Sequence, residues 1–195
     1  MIIESLLIVL AYLLGSISGA MLVAKMMGLS DPRTQGSGNP GATNILRYGG
    51  KKAALVTLLL DITKGVMAVL ITKLLTSSTI ILAGATVAVF VGHLYPIFFN
   101  FQGGKGVATA FGALVALVWQ VGLAALVTWL SVALLLRYSS LAAIITAILA
   151  PIYMFWFTSI KGYLITSIVI SILLLWRHRS NIHKLMTGQE AKIGK

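Results

Sequence analysis

Six apolar runs, at roughly Ile2–Val23, Ala53–Thr72, Ile80–Phe99, Val107–Leu136, Leu141–Thr158 and Tyr163–Trp176, occupy most of this 195-residue chain. Judged against the ~20 residues that an α-helix needs to cross a bilayer, they read as membrane spans. Composition agrees: 58% of residues are apolar and 10% are charged, and the mean hydropathy is +0.99, far from a soluble domain. The longest polar stretches, about Gly28–Lys52 and Arg177–Lys195, are too short to bury cores of their own. The expectation is an all-α polytopic helix bundle forming a single integral-membrane domain over residues 1–195.

Cysteine is absent, which removes disulfides, thiolate metal sites and a cysteine nucleophile. The first run carries Glu4, no basic flank and no small-residue cleavage site, and it reads as a retained transmembrane helix, not a signal peptide.

Charge sets the topology. Arg33, Arg47, Lys51 and Lys52 mark the first loop as cytoplasmic, and Arg177, Arg179, Lys184, Lys192 and Lys195 mark the tail likewise. Two segments on one side need an even number of crossings between them. Val107–Leu136 is long for one span at ~1.5 Å per residue, and splitting it near Gln120–Gly122 supplies the even count. The expectation is seven transmembrane helices, N-terminus outside and C-terminus cytoplasmic, with only Lys73 and Lys161 in outer loops. The net charge of +11 then follows mostly from the positive-inside rule and attraction to anionic lipid, with no need for nucleic acid.

Four constellations interrupt the hydrophobic pattern. The first is Gly36-Ser37-Gly38-Asn39-Pro40-Gly41-Ala42-Thr43-Asn44-Ile45-Leu46-Arg47. Glycines free the backbone to turn N–H groups toward one point, and Ser37, Asn39, Thr43, Asn44 and Arg47 add side-chain donors, a pattern suited to phosphate. Turns also use these residue types, but ordinary helix connections run to only ~2–8 residues. The second is Gly92-His93-Leu94-Tyr95-Pro96 followed by Gly103-Gly104-Lys105-Gly106-Val107-Ala108-Thr109. Glycines around Lys105 at the start of a helix suit an anion, and equally a tight turn with a snorkelling lysine. The Walker A spacing is missing.

Third, Asp61 and Lys64 lie i, i+3 inside an apolar run, where charge is costly unless paired; the spacing permits a structural ion pair, with His93 as a polar group packed against it. Fourth, Arg177-His178-Arg179-Ser180-Asn181-Ile182-His183-Lys184 is either a juxtamembrane anchor or, through His178 and Asn181, a directional hydrogen-bonding surface. Arg137 and Ser140 fall on the same side of the expected topology. No histidine precedes an aspartate by five residues, no G-x-S-x-G elbow occurs, and four acidic residues in all make a carboxylate two-metal site implausible.

Taken in order, these motifs closely resemble the membrane-integral acyl-phosphate:glycerol-3-phosphate acyltransferase family of bacterial phospholipid synthesis, over essentially the full length. The resemblance implies a seven-helix enzyme of the bacterial cytoplasmic (inner) membrane with its active site facing the cytoplasm. It implies transfer of an acyl group from acyl phosphate to the 1-hydroxyl of glycerol 3-phosphate, giving lysophosphatidic acid and inorganic phosphate. Neither a metal nor another cofactor is expected; the partners are the two substrates and membrane lipid.

On this reading Ser37, Asn39, Arg47, His178 and Asn181 are the catalytic candidates. Gly38, Gly41, Thr43, Asn44, Gly103 and Gly104 meet acyl phosphate, while Lys105, Ser140, Arg177 and Arg179 meet glycerol 3-phosphate. Asp61, Lys64 and His93 support the site. The hydroxyl proton goes to the substrate's own phosphate, with His178 or His93 as the rival base. A transporter of organophosphates would need a polar path to the outside, which the apolar outer halves of these helices do not offer. A simple lipid-surface anchor leaves the first and third loops unexplained.

Overall fold

The computed structural model describes residues 2–193, and its regular structure there is helical. Ten α-helices follow one another: α1 (Ile2–Gly15), α2 (Gly19–Met26), α3 (Ala42–Tyr48), α4 (Gly50–Leu75), α5 (Thr79–Leu94), α6 (Val107–Leu117), α7 (Trp119–Leu136), α8 (Ser139–Phe157), α9 (Lys161–Arg177) and α10 (Arg179–Met186). A 3₁₀ turn spans Ile97–Phe99. They form two compact units divided between Leu117 and Val118. Lys195, counted among the tail cations, lies outside the described residues.

In the first unit, α1 packs on α5 and α4 on α6. Glycine makes these approaches close: a Cβ at Gly15 would meet the backbone of Val89, and one at Gly92 the backbone of Tyr12 and Ser16. Gly65 and Gly112 play the same part between α4 and α6, against Thr109 and Ala113 and against Ile62. Without water to drive helices together, such small-residue seams supply the packing. Ala20, Val23, Ile45, Ala53 and Ala54 bring α2 and α3 onto α4.

The first apolar run is not one straight helix. It bends by 43° between α1 and α2, where Ser16 Oγ donates to Tyr12 O at 2.9 Å and Ser18 caps α2 by accepting from Met21 N at 3.4 Å. Residues 42–48, expected as loop, form the short helix α3.

The run from Val107 to Leu136 does split, but at Val118 and not at Gln120–Gly122. Lys73 Nζ donates to the carbonyls of Ala116 and, at 2.9 Å, Leu117, groups that would otherwise need the amides of a continuing helix. Val118 is extended at φ −142°, ψ 99°, and its carbonyl accepts from Val121 N and Gly122 N at 3.0 and 3.2 Å. The polar Gln120 therefore opens α7. Among the described residues four helices are long and apolar enough to cross a membrane, or five if α1 and α2 count as one bent span.

In the second unit α7 packs on α8 and α8 on α9. Pro151 lies inside α8 and brings no N–H to the carbonyl of Ala147 four residues earlier. Ser171 Oγ of α9 donates to that carbonyl at 2.6 Å, so the broken ladder is completed from the neighbouring helix, as an apolar solvent demands. The hydroxyls of Thr128 and Tyr153 join α7 to α8 at 2.7 Å.

Candidate active site

The first loop is built around Asn44, which is 1% exposed. Its Oδ1 accepts from Ser37 N at 2.9 Å, and its Nδ2 donates to Pro32 O and Gln35 O, each at 2.9 Å. Gly36, at φ +55°, lies so close to Asn44 Oδ1 that a Cβ there would collide with it. Asn44, expected among the acyl-phosphate-binding residues, here uses both amide hydrogens to hold the loop's shape.

At the loop's start Arg33 Nη2 pairs with Asp31 Oδ2 at 2.6 Å, and this bonding holds the Asp31 carboxyl below its ordinary value. The same pairing raises the Arg33 guanidinium. Ser37, Thr43 and Arg47 are exposed and Asn39 half-buried. Gly38, at φ +69°, turns the backbone between Ser37 and Asn39, a conformation that suits glycine. Gly41 caps the N-terminus of α3.

The same unit holds a buried polar cluster. Lys64 Nζ is 3.0 Å from Asp61 Oδ1, and His93 Nδ1 is 3.6 Å from the same oxygen. Lys64 also donates to Ile17 O at 2.6 Å, and Asp61 Oδ1 accepts from Gly19 N at 3.3 Å. These are backbone groups at the α1–α2 bend. Thr109 Oγ1 sits 3.2 Å from His93 Nδ1.

The second glycine loop closes on the same histidine. Gly104 N donates to His93 O at 3.2 Å, and a Cβ at Gly104 would strike the ring Nε2 of His93. At Gly103 it would strike the carbonyls of His93 and Leu94. These two glycines thus permit the loop to lie against the end of α5, and they deliver Lys105, half-buried, just before α6. Gly106, at φ +86°, makes the final turn into that helix.

The second unit carries the other candidates. His178, 3% exposed, stands between α9 and α10, with Nδ1 2.8 Å from Leu174 O. That contact calls for the proton on Nδ1. Arg177 ends α9. Arg179 stacks over the Trp176 ring at 4.6 Å and donates to Trp176 O at 3.1 Å. Ser140 Oγ and Asn181 Nδ2 converge on one atom, Glu190 Oε1, at 2.7 and 2.8 Å. The motifs did not reveal Glu190; its signal was a single acid among basic residues in the tail. Among the described residues no group of three or more His, Asp and Glu side chains converges as a metal site.

Helices long and apolar enough to span, with hydroxyl, amide and cationic groups on the segments between them, fit a helical integral-membrane protein. The chain belongs to the glycerol-3-phosphate acyltransferase family, whose pattern matches residues 5–188. It is 51% identical to the glycerol-3-phosphate acyltransferase of Methylococcus capsulatus over 192 residues, 98% of this chain and 97% of that one. With the enzyme of the same name from Thiobacillus denitrificans it shares 54% over 198 residues, 99% and 98% of the two chains. Its fold matches the crystal structure of PlsY (YgiH), an integral membrane glycerol 3-phosphate acyltransferase, in its glycerol 3-phosphate form, with TM-score 0.93 and 41% identity over 98% of this chain and 96% of that one. The lysophosphatidic acid form gives 0.91 and 40%, over 98% and 95%.

Proposed function

We propose that this acyltransferase takes its acyl group from acyl phosphate and moves it to the 1-hydroxyl of glycerol 3-phosphate, giving lysophosphatidic acid and inorganic phosphate. The observation that carries this reading is the braced first loop. Asn44 fixes its backbone from inside while Ser37, Asn39, Thr43 and Arg47 stand at its accessible surface, an arrangement made for an anion with several oxygens.

In the reaction the hydroxyl oxygen attacks the acyl carbon, the bond from that carbon to the bridging oxygen breaks, and phosphate leaves with that oxygen. The donor is already activated, so orientation and stabilisation of the developing oxyanion by Ser37, Asn39 and Arg47 suffice without an acyl-enzyme. Gly38, Gly41, Gly103 and Gly104 let backbone approach the acyl phosphate. Lys105, Ser140, Arg177 and Arg179 are assigned to glycerol 3-phosphate, and His178 and Asn181 to catalysis. The attacking hydroxyl's proton passes to the departing phosphate, with His178 as the rival base. Embedded between Asp61, Thr109 and Gly104, His93 serves as structure. No metal or other cofactor enters this scheme.

The chain acts as one domain, residues 1–195, in a bacterial cytoplasmic membrane, crossing it seven times with the N-terminus outside and the site facing the cytoplasm. The positive-inside distribution supports this orientation. Purified enzyme given glycerol 3-phosphate with acyl phosphate, acyl-coenzyme A or acyl carrier protein tests the donor. Product from acyl phosphate alone is expected, and turnover of either thioester at a similar rate would overturn the assignment.

A further inference from the structure

The geometry points to Glu190 as a positioning residue that acts through Ser140 and Asn181, and to a hydroxyl of glycerol 3-phosphate, not a phosphate oxygen, as the group that Ser140 meets. The inference rests on the proposed assignment of these two residues to that substrate.

A serine hydroxyl has one proton and two lone pairs. Ser140 gives that proton to Glu190 Oε1 at 2.7 Å. Phosphate oxygens at neutral pH are chiefly acceptors, so Ser140 in this state faces them with lone pairs only. Its remaining capacity is to accept, and the donors that glycerol 3-phosphate offers are its hydroxyls. Asn181 Nδ2 donates to the same carboxylate oxygen at 2.8 Å, which fixes the plane of its amide as well.

The carboxylate is itself held. Gly188 turns the chain at φ +69°, and the amides of Gln189 and Glu190 then donate to Lys184 O at 2.7 and 3.1 Å. Beyond Glu190, Ile193 N donates to Arg137 O at 2.6 Å and Arg137 Nη2 returns a bond to Ile193 O at 3.1 Å. Lys192 lies over the Tyr138 ring at 5.4 Å. The tail is thus strapped along the turn that carries Ser140, with Glu190 fixed from both sides. Such fixing is what a positioning group requires, because a loosely held carboxylate would let the hydroxyl rotate.

The test measures binding of glycerol 3-phosphate and of inorganic phosphate to the full chain in detergent by calorimetry, alongside KM and kcat. Glu190→Ala and Ser140→Ala are each expected to weaken glycerol 3-phosphate binding about tenfold, the loss of roughly one hydrogen bond, and to raise KM accordingly. Inorganic phosphate affinity stays within about twofold. The double variant loses less than the product of the two single losses, since both changes remove the Ser140–Glu190 contact. Glu190→Gln retains one acceptor and recovers part of the loss; being the milder change, it keeps the test valid should Glu190→Ala fail to fold. Tighter binding of both ligands to Glu190→Ala would mean that the carboxylate merely occupies a phosphate site, and would overturn the inference, as would additive losses. A wild-type chain that binds no glycerol 3-phosphate overturns the underlying assignment; wild-type binding with both Glu190 variants unchanged overturns this inference alone.

Discussion

Lys64 donates to the main-chain carbonyl of Ile17 at 2.6 Å, so a charge buried in α4 completes the backbone at the break between α1 and α2. Asp61 does the reciprocal service for Gly19 N. A bent span leaves backbone groups without partners in hydrocarbon, and each such group costs several kcal/mol. The ion pair is therefore one device with two tasks, cancelling its own charge and closing the α1–α2 break.

Lys64→Met is expected to lower the thermal unfolding midpoint in detergent, with a loss of about 3–5 kcal/mol for an uncompensated buried carboxylate. The double variant Asp61→Leu/Lys64→Leu separates the two tasks. Removing both charges usually restores stability, but here Ile17 O and Gly19 N stay unsatisfied, so a deficit of about 1–3 kcal/mol should remain. A double variant as stable as the wild type would show that the backbone contacts contribute nothing.

Asn44→Ala should act through loop shape. It removes three hydrogen bonds made by a buried side chain, at a cost of about 1–3 kcal/mol for the groups left unpaired. Limited proteolysis within residues 30–42 should accelerate, and kcat/KM for acyl phosphate should fall. Thr43→Ala, at an exposed position, should lower kcat/KM without the proteolytic change. Equal protease resistance in Asn44→Ala and wild type would contradict the bracing role.

These residues show what could be read in advance. The apolar runs exposed the helices because bilayer insertion is governed by hydropathy, which is written residue by residue. The Asp61–Lys64 pair was visible because intramembrane charge at i, i+3 has few other uses. The bend at residues 16–18 was not, since its stabilising partner lies some 45 residues away. Asn44 and Ser37 looked alike in a polar loop, and only the fold shows that one faces inward. At residue 118 the polar Gln120 drew attention, while the cause was Lys73 on another helix.

Topology is checked by cysteine labelling, for which the cysteine-free chain gives a clean background. Lys161→Cys should react with an impermeant reagent in intact cells, and Arg137→Cys only after permeabilisation. Reaction of Arg137→Cys from outside would sink the seven-crossing arrangement.

Lys105→Ala and His178→Ala should raise KM for glycerol 3-phosphate, with losses on the order of 2–5 kcal/mol if each side chain meets the substrate in a desolvated site. An unchanged KM in both variants would mean that the two phosphate sites are assigned the wrong way round.

The most direct test of acyl transfer from acyl phosphate to glycerol 3-phosphate is the initial rate of inorganic phosphate release by purified enzyme, with both substrates varied. Release should require both, and reciprocal plots at fixed concentrations of one substrate should intersect, because direct attack needs both bound at once. Acyl phosphate alone should leave no stable acyl group on Ser37. Parallel plots with an ester trapped at Ser37 that disappears on adding glycerol 3-phosphate would contradict direct transfer, and phosphate release that ignores glycerol 3-phosphate would contradict the reaction itself.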